Sequence, residues 1–323
     1  TAPEVARLAE TLAPAAMLHD EGLAAPDTLR RIPLPDLRAM RDLPPAAYAV
    51  GDPERLAYVV FTSGTSGTPR AVMHAHRAVW ARRMMHDGWY GLTPEDRLLH
   101  AGAFNWTYTL GTGLLDPWAM GATSLIPAPG TAPEALPLLM KRHDATIFAA
   151  APGVSRRILR APLPALPKLR HGLSAGEKLP DPTRVAWQEA TGTQIHEAFG
   201  MSECSTFVSG SPARPAPAGT LGYPQPGRRV GLRDGTITVH RDDPGLMLGY
   251  LDAPEETAAR FDGDWFLTGD MARETSDGAL VYEGRADDMI NAGGLRVSPL
   301  EIEAAMLAHP AVTDAAACEL RVK

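Results

Sequence analysis

The sequence predicts an α/β protein, with a layered α/β large domain followed by a β-rich subdomain. Two observations carry this expectation. Up to about Pro212, short apolar or β-branched runs alternate with segments of helical spacing, the pattern of strands covered by helices. From about Gly219 to Glu283 the character changes to short β runs separated by glycine, proline and Asp-Gly turns.

The proline-rich stretches 33–45, 162–167 and 212–217 read as rigid connectors. Strands are expected at 58–61, 123–126, 146–150 and 194–198, each a short apolar or β-branched run. Residues 75–85 have helical spacing, and a helix there would follow the preceding glycine-rich loop directly and turn its N-terminal dipole toward it. Asp181-Pro182 reads as an N-cap with proline at the first helical position, and Gly192 as the stop of that helix. In the second region, 236–240 and 279–282 read as strands. Ser298-Pro299-Leu300-Glu301 reads as a capping box that starts a helix carrying Ile302, Ala305 and Met306.

With 323 residues and 45% apolar content the chain can bury a sizeable core and more than one domain. A formal net charge of −7 gives no reason to expect a nucleic-acid or anionic-membrane partner. No apolar run reaches the length of a spanning helix and no signal-peptide pattern opens the chain, so a cytoplasmic protein is expected. Cys204 and Cys318 lack metal-ligand spacing, which argues against a disulfide scaffold or zinc site. Cys204, next to Glu203, reads as a small buried thiol.

Chemistry enters at the run from Tyr58 to Val72, where an apolar strand meets a glycine- and hydroxyl-rich loop. Gly64 and Gly67 permit backbone conformations that let successive N–H groups converge on one anion. Thr62, Ser63, Thr65, Ser66 and Thr68 supply hydroxyl donors, and Arg70 supplies a charged one. Hydrogen bonds to charged groups are worth about 1.5–3 kcal/mol each, so four or five could hold a triphosphate. The bland alternative is a polar surface turn between a strand and a helix. The nucleoside-triphosphatase pattern, with lysine after the second glycine, is not what stands here.

The loop resembles the phosphate loop of the adenylate-forming superfamily, which comprises acyl- and aryl-CoA synthetases, luciferases and the adenylation domains of peptide synthetases. That family usually has lysine where Arg70 stands. Three further stretches match the family in the same order. In Phe199-Gly200-Met201-Ser202-Glu203 the resemblance implies an aromatic against adenine, a hydroxyl at the phosphate and a carboxylate that helps to hold Mg²⁺. Thr268-Gly269-Asp270 resembles the family stretch whose aspartate accepts from the ribose hydroxyls. The stretch from Gly284 to Ile290 resembles the family's hinge, with Arg285 near the ribose and Asp287 as the pivot, and Gly293-Gly294 follow in the mobile segment. Standing alone, these stretches would read as core packing, a turn and a solvated charge cluster. Their order along the chain argues against coincidence.

The resemblance also implies an architecture and a reaction. Residues 1–215 would form the α/β part of a large N-terminal domain whose beginning is missing, and 216–284 a β-rich subdomain. Residues 285–323 would hold the hinge and the start of a small, mobile α+β C-terminal domain. The family's catalytic lysine is expected beyond residue 323. The reaction would be activation of a carboxylic acid by ATP through an acyl-adenylate, with pyrophosphate release, followed by thioester formation with CoA. Its catalytic residues would be Thr62, Arg70, Ser202 and Glu203. Leu173-Ser174-Ala175-Gly176-Glu177-Lys178 is similar to benzoate-type and medium-chain CoA ligases, which places Ala175, Gly176 and Glu177 with Phe199, Gly200, Met201, Asp270 and Arg285 around the nucleotide.

Asn105, Trp106, Tyr108 and Gly111 fall where the family has its acyl pocket, although both aromatics also suit an ordinary core. His100, His171 and His196 could line the cleft, or serve as hydrogen-bonded structural residues. The expected partners are the carboxylic acid, ATP and CoA, with a homodimer compatible. Three other readings stay open: an adenylation domain that loads a carrier protein, a module that binds nucleotide without turnover, and a phosphate-loop hydrolase.

Overall fold

The computed structural model describes residues 2–20, 28–62, 70–292, 295–307, 309, 311–312 and 315–319. The chain forms two compact units, Thr1–Gly51 and Asp52–Lys323. In the first, α1 (Ala2–Leu12) precedes β1 (Ala16–His19), which runs parallel to β2 (Arg30–Pro33), and α2 (Leu34–Ala39) follows. The stretch expected to be a rigid connector at 33–45 is therefore partly helical. Pro35 sits in the first turn of α2, where its missing N–H costs nothing.

The second unit opens with β3 (Leu56–Thr62) and β4 (Arg70–Ala75), an antiparallel pair in which Thr62 lies opposite Arg70. The expected helix over 75–85 is corrected here, because α3 spans only His76–Ala81 and the strand β4 separates it from the loop. Local spacing loses to pairing, since β4 is held by β3 on one side and by Gly249–Tyr250 on the other. The loop therefore joins two strands, and no helix dipole follows it directly.

A strand–helix alternation comes next. It runs through β5 (Arg97–His100), α4 (Thr107–Leu110), α5 (Asp116–Met120), β6 (Thr123–Leu125), α6 (Leu136–Arg142), β7 (Ile147–Ala150), α7 (Pro152–Ile158), β8 (His171–Ala175), α8 (Asp181–Thr191) and β9 (Ile195–Met201). With β10 (Ser205–Ser209) and β11 (Tyr223–Pro224) the strands form a seven-stranded sheet among the described residues, in the order β11-β10-β9-β8-β7-β5-β6. It is parallel from β6 to β9 and antiparallel beyond. All five residues of β8 are buried, as a parallel strand covered on both faces requires. Phe148 stacks on Trp187 at 5.7 Å within one core cluster, and Trp89, Tyr90 and Tyr108 fill another. Each large apolar side chain buried this way is worth about 1.5–3 kcal/mol. Helix α8 begins at Asp181 itself, with Pro180 as the cap, so Asp181 is the first helical residue and not the cap. Gly192 ends it at φ 70°, as expected.

The β-rich stretch contains β12 (Val230–Arg233), β13 (Thr236–His240), β14 (Gly249–Tyr250), α9 (Pro254–Ala258), β15 (Phe261–Asp262), β16 (Trp265–Glu274) and β17 (Leu280–Arg285). Asp234 and Gly235, both at positive φ, form the two-residue turn between β12 and β13. The register of β16 on β17 sets Asp270 directly opposite Arg285. After β18 (Ile290–Ala292) and β19 (Leu295–Val297), α10 (Pro299–Leu307) starts as expected with proline at its first position. The Ser298 hydroxyl accepts from the Leu300 N–H and donates to the Glu283 carbonyl, which ties the helix start to β17. No helix among the described residues is long and apolar enough to cross a membrane.

Candidate functional site

Strand β8 ends at Ala175, opposite Ala198, while β9 runs on to Met201, and a cleft opens at these C-terminal ends. It consists of a cavity of about 510 Å³ and a neighbour of about 260 Å³ that shares Gly176, Gly200, Met201 and Arg285 with it.

Thr62 and Arg70 stand together in the wall of the larger cavity as register partners. Arg70 Nε is 3.0 Å from the half-exposed Glu256 carboxylate, and its guanidinium lies 5.3 Å from the Tyr250 ring. An exposed pair of this kind is worth at most about 1 kcal/mol, so Arg70 can be given up to a stronger anion. The residues between them, including Ser63, Gly64, Thr65, Ser66, Gly67 and Thr68, lie outside the described residues, as do Gly293 and Gly294.

Ser202 and Glu203 follow β9 and line the same cavity. Two residues not singled out in the sequence hold them. His74 Nε2 donates to the Ser202 carbonyl at 2.7 Å, which fixes the tautomer, and burial holds this imidazole down to about 4. The Tyr250 hydroxyl donates to Glu203 Oε1 at 2.8 Å. Glu203 is a buried carboxylate in the cavity wall with no ion-pair partner among the described residues. Among those residues no cluster of three or more His, Cys, Asp or Glu side chains is placed to hold a metal ion. Mg²⁺ fits this donor set, because it binds through one or two carboxylates completed by phosphate oxygens and water.

Phe199, Asp270, Tyr282 and Arg285 meet in the smaller cavity with Gly176 and Glu177. The Phe199 ring is 5.7 Å from that of Tyr282, and the Tyr282 hydroxyl donates to Asp270 Oδ1 at 2.9 Å. Arg285 Nη1 lies 3.4 Å from Asp270 Oδ2, and its Nε 3.2 Å from the exposed Asp287. Burial raises the Asp270 carboxyl, with Tyr282 and Arg285 pulling the other way. Gly200 is obligatory, since a Cβ there would stand 2.2 Å from the Ser205 carbonyl oxygen.

Trp106 and Tyr108 line the larger cavity, with ring centroids 5.1 Å apart at right angles. Gly176, at φ +100°, lies under the Trp106 indole, where a Cβ would come within 2.5 Å. Two expected pocket residues stand elsewhere. Asn105 is exposed and outside the lining, and Gly111 packs behind the wall, where its lack of a side chain makes room for the Arg82 guanidinium. The histidines keep their structural role. His171 Nε2 donates to the Tyr90 carbonyl, His100 Nδ1 accepts from the Gly102 N–H, and neither they nor His196 line the cleft. Cys204 is fully buried, with its thiol pushed up by burial.

Sequence reasoning also missed Arg82, Thr112, Ser205, Thr206 and Arg260 in the wall. Arg260 Nη2 donates to the Thr268 carbonyl at 2.8 Å while its buried Nε has no partner among the described residues. Arg82 and Arg285 are matched by Asp116 and Asp270, so Arg260 and the weakly paired Arg70 are the cations the cleft can offer a polyanion.

The family described as AMP-binding enzyme matches residues 5–251. The 3-hydroxybenzoate–CoA ligase of Aromatoleum sp. (strain CIB) is 34% identical over 276 residues, covering 81% of this chain and 53% of that protein. The benzoate–CoA ligase of Thauera aromatica is 33% identical over 285 residues, covering 82% and 53%. The chain thus spans about half the length of these curated relatives. Among solved structures, ATP-bound MatB from Rhodopseudomonas palustris superposes with a TM-score of 0.85 at 26% identity, over 98% of this chain and 68% of that one.

Proposed function

The chain belongs to the AMP-binding enzyme family, and from that premise we propose that it activates a carboxylic acid with ATP and passes the acyl group to CoA. The observation that carries this reading is one cleft with three chemically distinct parts. An aromatic and a hydrogen-bonded aspartate line the smaller cavity, and cations, a carboxylate and the Trp106 and Tyr108 rings line the larger one joined to it.

In this reading Phe199 stacks on the base, with Ala175, Gly176, Glu177, Gly200 and Met201 around it. Asp270 accepts from the ribose hydroxyls, and Arg285 steadies both the carboxylate and the sugar. Arg70 and the loop after Thr62 receive the outer phosphates, and Ser202 meets the α-phosphate. Glu203 holds Mg²⁺, which when bound neutralises phosphate charge. Trp106 and Tyr108 wall the acid.

An oxygen of the substrate carboxylate attacks the α-phosphorus, and the bond to the bridging oxygen breaks with release of pyrophosphate. The acyl-adenylate then yields its acyl carbon to the CoA thiolate, and AMP leaves. No protein nucleophile is needed because the substrate is itself an anion, so positioning and charge neutralisation supply the rate. The aryl-acid ligases among the relatives support a flat or short acid. The same reading divides the chain at about 215 and 284, with Asp287 as the pivot.

The test is incubation of the protein with ATP, Mg²⁺ and a panel of carboxylic acids. Acid-dependent pyrophosphate and AMP, with thioester once CoA is added, are expected. ADP and inorganic phosphate, or binding without products, would overturn the reading.

A further inference from the structure

The floor of the larger cavity is polar, and its charge is already balanced. Arg82, only 5% exposed, holds Asp116 through two parallel bonds, Nε to Oδ1 at 2.9 Å and Nη2 to Oδ2 at 2.7 Å. Burial alone would lower the Arg82 pKa, but Asp116 more than offsets it and the guanidinium stays charged. Asp116 Oδ2 also accepts from the Tyr90 hydroxyl at 2.8 Å. Tyr90 oxygen accepts from Arg82 Nη2 at 3.3 Å and lies 2.9 Å from Thr112 Oγ1, so Thr112 is the donor in that pair. The free arm, Nη1, donates to Ser205 Oγ at 2.6 Å.

This floor is held rigidly. Tyr90 and Thr112 sit in two π-helical turns, His86–Tyr90 and Gly111–Leu115, a rare backbone form that is frequent at functional sites. Ser205 is held at φ +58°, a conformation that its surroundings must enforce. Arg82, Thr112 and Ser205 line the same cavity as Trp106 and Tyr108.

The bonds just described use four of the five guanidinium N–H groups and the acceptor side of Ser205 Oγ. Among the described residues, one Nη1 proton and the Ser205 hydroxyl proton have no partner and are left for a ligand. An unsubstituted hydrocarbon tail would dry out those donors without pairing them. A second carboxylate would bring an uncompensated charge, because Asp116 already neutralises Arg82. Resting on the carboxylate-activation reading above, we propose that the acid carries a neutral hydrogen-bond-accepting oxygen, such as a hydroxyl, at the end remote from its reacting carboxylate. Ser205 and Arg82 receive it.

The test compares benzoate, 3-hydroxybenzoate, 4-hydroxybenzoate, hexanoate and a benzene dicarboxylate as substrates of the whole protein. At least one hydroxylated acid should exceed benzoate about tenfold in kcat/KM, with the dicarboxylate slowest. In Ser205→Ala and Ser205→Gly the hydroxyl preference should fall about tenfold, toward one. The glycine variant removes the hydroxyl while suiting the positive φ, so it answers for any strain in the alanine variant. Calorimetric binding of the same acids reads the same ratio without turnover. A wild-type preference for benzoate, hexanoate or the dicarboxylate, or an unchanged ratio in the Ser205 variants, overturns the proposal. Failure of every acid to release pyrophosphate overturns the activation reading instead, and the binding ratio then still decides the fate of the pocket assignment.

Discussion

Gly111→Ala tests whether the space beside Arg82 is as full as the packing implies. The Gly111 backbone is helical, at φ −73° and ψ −68°, so alanine there should gain about 1 kcal/mol in the absence of any contact. The added Cβ would instead stand 1.9 Å from Arg82 Cζ, against a guanidinium held by Asp116, Ser205 and Tyr90. Relief requires the bidentate pair to open, and stranding a buried charge costs about 3–5 kcal/mol. The net expectation is a loss of roughly 2–4 kcal/mol once the helical gain is deducted. Gly153→Ala is the control, because its Cβ would meet nothing closer than Arg156 Nη2 at 4.0 Å, and it should be neutral or stabilising. Urea denaturation of both variants beside the parent gives the two values. If Gly111→Ala proves as stable as Gly153→Ala, Arg82 is not locked and the account of the cavity floor falls with it.

Tyr250→Phe removes the bond to Glu203 and should lower adenylation about tenfold while raising the Mg²⁺ concentration required, and an unchanged Mg²⁺ titration would contradict this. Glu203→Gln should impair Mg²⁺-dependent adenylation with the fold intact, and an unaltered rate would remove Glu203 from the site. Asp270→Ala should weaken ATP binding by at least about tenfold and acid binding far less, so equal ATP affinity in calorimetry would refute the ribose assignment. Burial holds His74, His171 and His196 down to about 4 and His100 to about 3. Their folded values lie below the unfolded value of about 6.5, so stability is full above that pH and is lost as pH falls toward 4. The loss is up to about 1.4 kcal/mol per histidine per pH unit, and a flat urea midpoint between pH 7.5 and 5 would contradict it.

What was legible in the sequence was local. The strand into Thr62, the end of β9 at Phe199 to Met201 and the Thr268-Gly269-Asp270 stretch of β16 each carry their chemistry within a few consecutive residues. The strand character of Arg70–Ala75 was not legible, because it comes from pairing with β3 along its length and with Gly249–Tyr250 far along the chain, and not from its own spacing. Arg82 lies within the segment expected to be helical at 75–85, and Asp116 belongs to no motif. Nothing in either neighbourhood announces that the two meet under a pocket floor. Gly111 was placed in the acyl pocket, yet it serves the site from behind through the side chain it lacks.

The strand β4 has a consequence for how the reacting groups keep their spacing. Arg70 begins it, Val72 is the register partner of Tyr250, which grips Glu203, and His74 grips Ser202. Residues 70, 72 and 74 point the same way along a strand, so one rigid ruler sets all three in phase. A single-residue insertion between Arg70 and His74 would turn the ruler over and displace Arg70, the Tyr250–Glu203 bond and the His74–Ser202 bond together. The length of this one short strand therefore sets the relative positions of Arg70, Ser202 and Glu203.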